Sequence, residues 1–271
     1  MFREATAPAV AAQASVPVVR AGATNLYSVL FRPATPDDVE AIYQMSRPFM
    51  VDGFLIERDL RFFCDNVGEF EVADIDGEIA GCVAIRNFGT LAELYNVCVR
   101  SSWQGSGIGR LLVARALISL HGQGVGQVGL FSKTTGSWFA SLGFTPADPT
   151  KLPAARLTLL DPARGAQFML RSTVPGVDPL DGLNKIARPR IRFSRSDREL
   201  QWDGMASSVL ELAERNGLAI EHLCRAGICG ACGSRLRDGA AGYIDYPEVS
   251  PGDNEVLLCI LQPITDLVIE R

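Results

Sequence analysis

The chain has 271 residues, 47% of them hydrophobic, with 26 basic residues against 31 acidic ones and a formal net charge of −5. That length accommodates two modest domains, each with enough apolar material for its own core. The acidic balance argues against nucleic acid as a main partner, and no apolar run reaches the roughly 18 residues that would suggest a membrane span.

Residues 1–27 are rich in Ala, Val and Pro and carry few charges. They lack the apolar core of a signal peptide and read as a flexible tail, so a cytoplasmic location is expected. Strands and helices then alternate over 28–172. Leu30 to Pro33 reads as a strand. Thr35-Pro36-Asp37-Asp38 follows as an N-cap with Pro and early acids, opening a helix through Met45. Glu69 to Ile75 and Glu78 to Arg86 are β-rich runs joined by Asp76-Gly77, a hairpin signal. Leu91 to Val99 is another strand. Gly107 to His121 reads as a helix with Leu112, Val113, Ala116, Leu117 and Leu120 on one face. Ile108, Leu111 and Ile118 widen that face, which predicts a largely buried helix. Val125 to Phe131 reads as a strand and Gly136 to Leu142 as a short helix. Residues 173–189 are rich in Pro and Gly and read as a linker. Over 190–271, strands are expected at Ile191 to Ser194, Glu199 to Trp202, Ser234 to Leu236 and Leu267 to Ile269. Ser207 or Ser208 caps a helix bearing Val209, Leu210, Leu212 and Ala213. No internal repeat is visible, so the two domains are unlike.

Two motifs carry chemistry. The first is Gln104-Gly105-Ser106-Gly107-Ile108-Gly109, between a strand and an apolar helix. Free N–H groups and the helix dipole at such a turn favour an anion. A dinucleotide site would want an acid roughly 20 residues further on, which is missing; a plain tight turn is the simpler alternative. The second is Cys224, Cys229 and Cys232, followed by Cys259 after 26 intervening residues. This Cys-x4-Cys-x2-Cys…Cys order is the plant-type spacing for a [2Fe–2S] cluster. Gly227, Gly230, Ala231 and Gly233 let the backbone approach it. A zinc knuckle usually shows two Cys-x2-Cys pairs, and disulfides suit a secreted chain. Cys64, Cys82 and Cys98 lie in apolar stretches and read as core residues.

The glycine turn resembles the pyrophosphate loop of the GNAT family of N-acetyltransferases, which hold acetyl-CoA there. The resemblance covers about residues 28–172. It includes Phe31-Arg32-Pro33 onwards, Arg47-Pro48, Gly53-Phe54-Leu55, Glu78 to Cys82, Glu93 to Val99, Trp138-Phe139 and Gly143-Phe144. It is closest to the amino-acid-acetylating N-acetylglutamate synthases. It implies acetyl-CoA contacts from Val97, Cys98 and Val99 on the strand and from Gln104, Gly105, Ser106, Gly107, Ile108, Gly109 and Arg110 at the turn. It also implies Glu93 as the catalytic base and Arg47 as a clamp for a substrate carboxylate. Thr134 and Leu142 stand where that family typically has arginines, so glutamate itself is not the expected acceptor. Phe139 stands where GNAT enzymes usually place a tyrosine acid. Lys133, His121 and His222 read as peripheral to chemistry.

Residues 190–271 resemble the β-grasp ferredoxin modules attached to oxygenase reductases, with Cys224, Cys229, Cys232 and Cys259 as the implied metal ligands. This part has nine arginines and thirteen acidic residues, a balance of −4, which suits a basic redox partner such as a reductase or oxygenase. The expected fold class is α/β (α+β): a GNAT fold with a central mixed sheet and a small C-terminal β-grasp domain. The expected function is acetyl-CoA-dependent N-acetylation of a small amine or amino-acid-like substrate, with the [2Fe–2S] cluster serving electron transfer or redox control. The alternative is an electron carrier whose GNAT domain docks or senses without turnover. In a third reading the cluster is purely structural.

Overall fold

A computed structural model describes residues 14–22, 27–176 and 179–271. In chain order its first half contains β1 (Ala14–Arg20), β2 (Tyr27–Pro33), α1 (Val39–Val51), α2 (Leu60–Asp65), β3 (Phe70–Ile75), β4 (Glu78–Asn87) and β5 (Leu91–Val99). Then come α3 (Ile108–Gly122), β6 (Gln127–Ser132), α4 (Gly136–Ser141), β7 (Thr145–Pro146), α5 (Ala154–Leu157), β8 (Gln167–Ser172) and α6 (Pro179–Ile186). The second half contains β9 (Arg190–Phe193), β10 (Arg198–Gln201), α7 (Val209–Arg215), β11 (Gly233–Asp238), β12 (Ala240–Tyr243), β13 (Glu255–Leu257), β14 (Leu261–Pro263) and β15 (Leu267–Glu270). None of the described helices is long and apolar enough to cross a membrane.

The strands form two sheets. The larger runs β14-β12-β1-β2-β3-β4-β5-β6-β8-β7, and the smaller runs β10-β9-β15-β11-β13. Most pairs are antiparallel, but β5 runs parallel to β6 and β15 parallel to β9. The β3–β4 hairpin forms as expected, because Asp76 (φ 52°) and Gly77 (φ 86°) both take the left-handed conformation that a tight hairpin turn needs.

The helix α3 is buried on several sides, as its wide apolar face requires, because it packs between the sheet and α6. Its one deeply buried cation, Arg115, meets Glu71 at 3.0 Å. The helix α1 runs to Val51, beyond the expected end at Met45, and carries Pro48 within it. The chain absorbs the missing N–H near the helix end, where the Pro48 carbonyl still accepts from the Asp52 N–H at 3.0 Å.

Two expectations about the organisation change. The flexible tail assigned to residues 1–27 contains β1, which pairs with β2 on one side and with β12 on the other. Val16, Val18 and Val19 are buried there, and such β-branched residues suit a covered strand. The linker assigned to 173–189 contains α6, whose Leu180 and Leu183 join the core beneath α3. Asn184 of α6 donates to Gln262 at 2.6 Å and accepts from the Trp202 indole at 2.8 Å. The large sheet is thus continuous from the N-terminal half into β12 and β14 of the C-terminal half.

Candidate functional site

The cleft follows from a parting of strands. β5 and β6 pair from Leu91–Gln127 to Leu94–Leu130 and no further, although the strands continue to Val99 and Ser132. On its other edge β5 carries a bulge. Cys82 faces Cys98 and Ala84 faces Tyr95, so Asn96 and Val97 together oppose Val83. Asn96 takes φ 49°, and its side-chain amide donates to Ser46 Oγ at 2.9 Å. The bulge is therefore pinned from α1.

This opening is a cleft of about 560 Å³. One wall runs from Leu94 to Val99, the other from Leu130 to Thr135 with Trp138 and Phe139. Trp103, Gln104, Gly105, Gly107, Ile108, Gly109 and Arg110 close one end. Of the expected acetyl-CoA residues, Val97, Cys98, Val99 and the turn line this cleft, with one exception. Ser106 is buried, and its hydroxyl donates to the Trp103 carbonyl, so it shapes the turn. Gly107 is the N-cap of α3 at φ 85°, a conformation that costs a residue with a Cβ more than it costs glycine. Arg110 donates to Ser141 Oγ at 3.2 Å, and its burial eases loss of the proton.

Glu93 is 4% exposed, not a solvated edge acid. Arg156 grips it with two parallel bonds, Nε to Oε2 at 2.6 Å and Nη2 to Oε1 at 2.7 Å. The Arg156 guanidinium also lies 5.3 Å from the Phe131 ring centre. Glu93 and Arg156 line a second cavity of about 330 Å³ with Phe54, Leu55, Arg58, Arg86, Tyr95 and Asn96. This cavity shares Phe54, Leu55, Leu94, Tyr95, Asn96 and Phe131 with the cleft.

The structure does not bring Arg47, the expected clamp, to either cavity. Arg47 is exposed on α1 and lines neither cavity, because the inward position of that turn belongs to Ser46. A helix rotates about 100° per residue, so its neighbour faces away. Arg58 stands at the second cavity instead. Its guanidinium lies 3.8 Å from the Phe62 ring centre and 5.6 Å from that of Tyr95, and burial lowers its pKa. Tyr95 donates to Glu69 at 2.6 Å, and burial raises its pKa. Arg58 and Arg156 carry no motif signal; Arg156 comes from a segment more than sixty positions beyond Glu93. Lys133 and Thr134 both line the cleft while exposed to solvent.

The cysteine loop brings its thiols together. Cys224 and Cys229 lie at the surface, Cys232 and Cys259 are buried below it, and Cys259 feels both Cys232 and Cys224 electrostatically. Cys224 Sγ accepts from the Ala226 and Cys229 N–H groups, both at 3.4 Å, and these donors help pull its pKa down to about 6. Burial, then Cys232, pushes Cys259 up to about 12. Gly227 takes φ 72°, and a Cβ there would come within 2.6 Å of Ile260 beside Cys259. Among the described residues no three or more His, Cys, Asp or Glu side chains converge on one metal-ion position. Four such thiols are the number that a two-iron cluster takes, two cysteines per iron. His222 is engaged elsewhere, with Glu214 at 3.2 Å and the Ile220 carbonyl at 2.8 Å.

Comparison with known proteins agrees with this division. Residues 66–146 match the acetyltransferase (GNAT) domain family, and residues 191–263 match the 2Fe-2S iron-sulfur cluster binding domain. The amino-acid acetyltransferase of Neisseria meningitidis serogroup A is 30% identical over 130 residues, covering 47% of this chain and 30% of the relative. An uncharacterized N-acetyltransferase of Chlorobaculum tepidum is 29% identical over 123 residues, 45% of this chain and 79% of that one. Among solved structures, N-acetylglutamate synthase from Neisseria gonorrhoeae, complexed with coenzyme A and N-acetyl-glutamate, is similar with a TM-score of 0.52. It shares 28% identity and covers 54% of this chain and 35% of its own. The chain thus spans about a third of the length of the first of these relatives. The class is a GNAT acetyltransferase fold followed by an iron–sulfur module. This chain joins a GNAT domain resembling those of the N-acetylglutamate synthases to a 2Fe–2S domain, which implies a [2Fe–2S] cluster as its resident cofactor.

Proposed function

We propose that the chain transfers the acetyl group of acetyl-CoA to the amine of a small acceptor bearing one carboxylate or a similar anion. The observation that carries this reading is the opening between β5 and β6, with a bulge on one wall and the glycine turn of α3 at its end. When bound, acetyl-CoA supplies the activated acyl group. The turn and the N-terminus of α3 offer N–H donors to its pyrophosphate. The freed edge of β5 near the bulge polarises the acyl carbonyl.

The acceptor occupies the second cavity, which opens on the same stretch of β5. Arg58 meets its anionic group with a fork of donors already desolvated by Phe62 and Tyr95. Glu93 takes the proton of the acceptor's ammonium, directly or through water. A carboxylate has about four acceptor positions, so the two bonds from Arg156 leave room for it. Phe139 presents only carbon to the cleft, so the leaving thiolate takes its proton from solvent or from a hydroxyl such as Ser132 or Thr135.

In the second domain we assign Cys224 and Cys229 to one iron and Cys232 and Cys259 to the other. Leu223 and Ile228 flank the outer pair and are exposed, on an otherwise acidic domain. Such a rim suits a redox protein with a basic face, a reductase or an oxygenase. A second reading has specific support. The bidentate pairing of Glu93 with Arg156, which stabilises the ionised carboxylate, suits a domain that binds acetyl-CoA and senses it without turnover. Thiol release from acetyl-CoA across a panel of amines and amino acids separates the two. Release with a carboxylate-bearing amine supports transfer; binding without release on any amine supports sensing.

A further inference from the structure

We propose that the acetyl-CoA site is composite: the iron–sulfur domain supplies its back wall through Ile264 and Thr265, with the Asp266 carboxylate next in the chain. This inference rests on the reading of the β5–β6 cleft as the acetyl-CoA site and assigns part of that site to the other domain.

Three observations converge. Thr265, in the turn between β14 and β15, lines the cleft together with the glycine turn. Ile264 packs against the turn itself: a Cβ added to Gly107 would lie 2.3 Å from Ile264 Cγ2. Gly107 therefore answers to two demands, a left-handed backbone and a side chain from the second domain that leaves no room for a Cβ. Third, Asp266 acts electrostatically on Arg110, the cation of the turn.

The wall is held firmly. Thr265 Oγ1 accepts from the Ala240 N–H at 2.8 Å, and the Ile264 N–H donates to the Ala240 carbonyl at 3.0 Å. Asp266 accepts from the Arg190 backbone N–H at 2.8 Å. From the other side, Arg20 of β1 donates to the Ser102 carbonyl at 3.2 Å and lies 5.5 Å from the Trp103 ring centre. The pyrophosphate turn is thus bracketed by β1 and by the segment that follows β14, and both belong to the run of strands crossing from one half to the other. Cys259 lies just upstream on that same segment, so the cluster loop and the acetyl-CoA site share one stretch of chain.

Charge gives the test its sign. Acetyl-CoA carries several phosphate charges, so the Asp266 carboxylate, only partly offset by its exposed pairing with the Arg190 guanidinium at 3.1 Å, opposes it, while Ile264 supports the turn sterically. Binding of acetyl-CoA, and of S-acetylpantetheine, which lacks the phosphates, is to be measured by calorimetry on the full cluster-containing chain. Asp266→Asn keeps the acceptor for the Arg190 N–H, and should tighten acetyl-CoA by about threefold at low salt, less at high salt, and leave S-acetylpantetheine unchanged. Ile264→Val and Ile264→Ala should weaken acetyl-CoA progressively, the latter by about tenfold. Met205→Ala, exposed on the same domain and lining none of these cavities, should have no effect. If wild-type chain binds acetyl-CoA and all of these variants match it, the composite wall is overturned. If wild-type chain does not bind acetyl-CoA at all, the reading of the cleft falls instead. Should Ile264→Ala fail to fold, Asp266→Asn and Ile264→Val still decide the matter.

Discussion

At the residue scale the acetyl-transfer site rests on Glu93 and Arg58, each with its own test. Glu93→Gln keeps the shape and one acceptor but cannot take a proton at neutral pH. It should lower kcat by about a hundredfold or more with the acetyl-CoA dissociation constant unchanged. An unaltered kcat would remove Glu93 from the chemistry. Arg58→Ala should raise the acceptor KM by about tenfold or more, whereas Arg47→Ala should leave it unchanged. The reverse pattern would return the clamp to α1. In the second domain, the purified chain should hold about two irons and two sulfides, and Cys229→Ser should lose most of the visible absorbance. Zinc in place of iron would refute the ligand assignment. The cysteines and the glycine turn were legible in the sequence because local spacing encodes them. Glu93 was legible only as a strand acid; its partner was not, because Arg156 reaches it from a segment that no periodicity ties to β5. Arg47 stands away from both cavities because α1 runs six residues past the expected end and takes its phase from Ser46, which is buried against Cys98 and Asn96.

At the scale of elements, the start of α1 holds a charge cluster that should mark the acid stability of the fold. Arg32 bonds Asp38 at 2.7 Å and Asp74 at 2.9 Å, with the Arg32 and Asp38 side chains 19% and 10% exposed. Arg32, then bonds from Thr35 against the cost of burial, brings the Asp38 carboxyl down to about 2. A carboxyl whose folded pKa is depressed adds stability that is fully present above its unfolded pKa, near 4, and disappears as pH falls through 2. Discounted for partial solvent screening, the Asp38 carboxylate should contribute about 1 kcal/mol at neutral pH. Urea denaturation between pH 6 and pH 2 should therefore show wild-type chain losing more stability than Asp38→Asn across the lower part of that window. Parallel curves would contradict this. The sequence marked this N-cap correctly from Thr35, Pro36 and the two acids. It did not mark β1, where Pro17 reads as a breaker. A proline is tolerated there because Pro17 pairs only with Ser28 of β2, while the register with β12 begins at Val18.

At the scale of the whole molecule, the two halves read from the sequence as separate domains on a linker are knit by shared structure. α6 packs under α3, Asn184 bridges to Gln262 and Trp202, and β1 joins β2 to β12. Interfaces between domains are commonly polar and mobile. This one contains core residues such as Leu180, Leu183 and Ile264, and it reaches the pyrophosphate turn. No local pattern could announce that contact, because it depends on strands distant in the chain finding one another. The central claim, acetyl transfer in the β5–β6 cleft, is tested most directly by mass-spectrometric detection of an N-acetylated product. The cluster-loaded chain would be given acetyl-CoA and a panel of carboxylate-bearing and neutral amines. The expected result is a product from a carboxylate-bearing amine, formed in step with free CoA and lost in Glu93→Gln. Saturable acetyl-CoA binding with no acetylated amine from any member of the panel would contradict it.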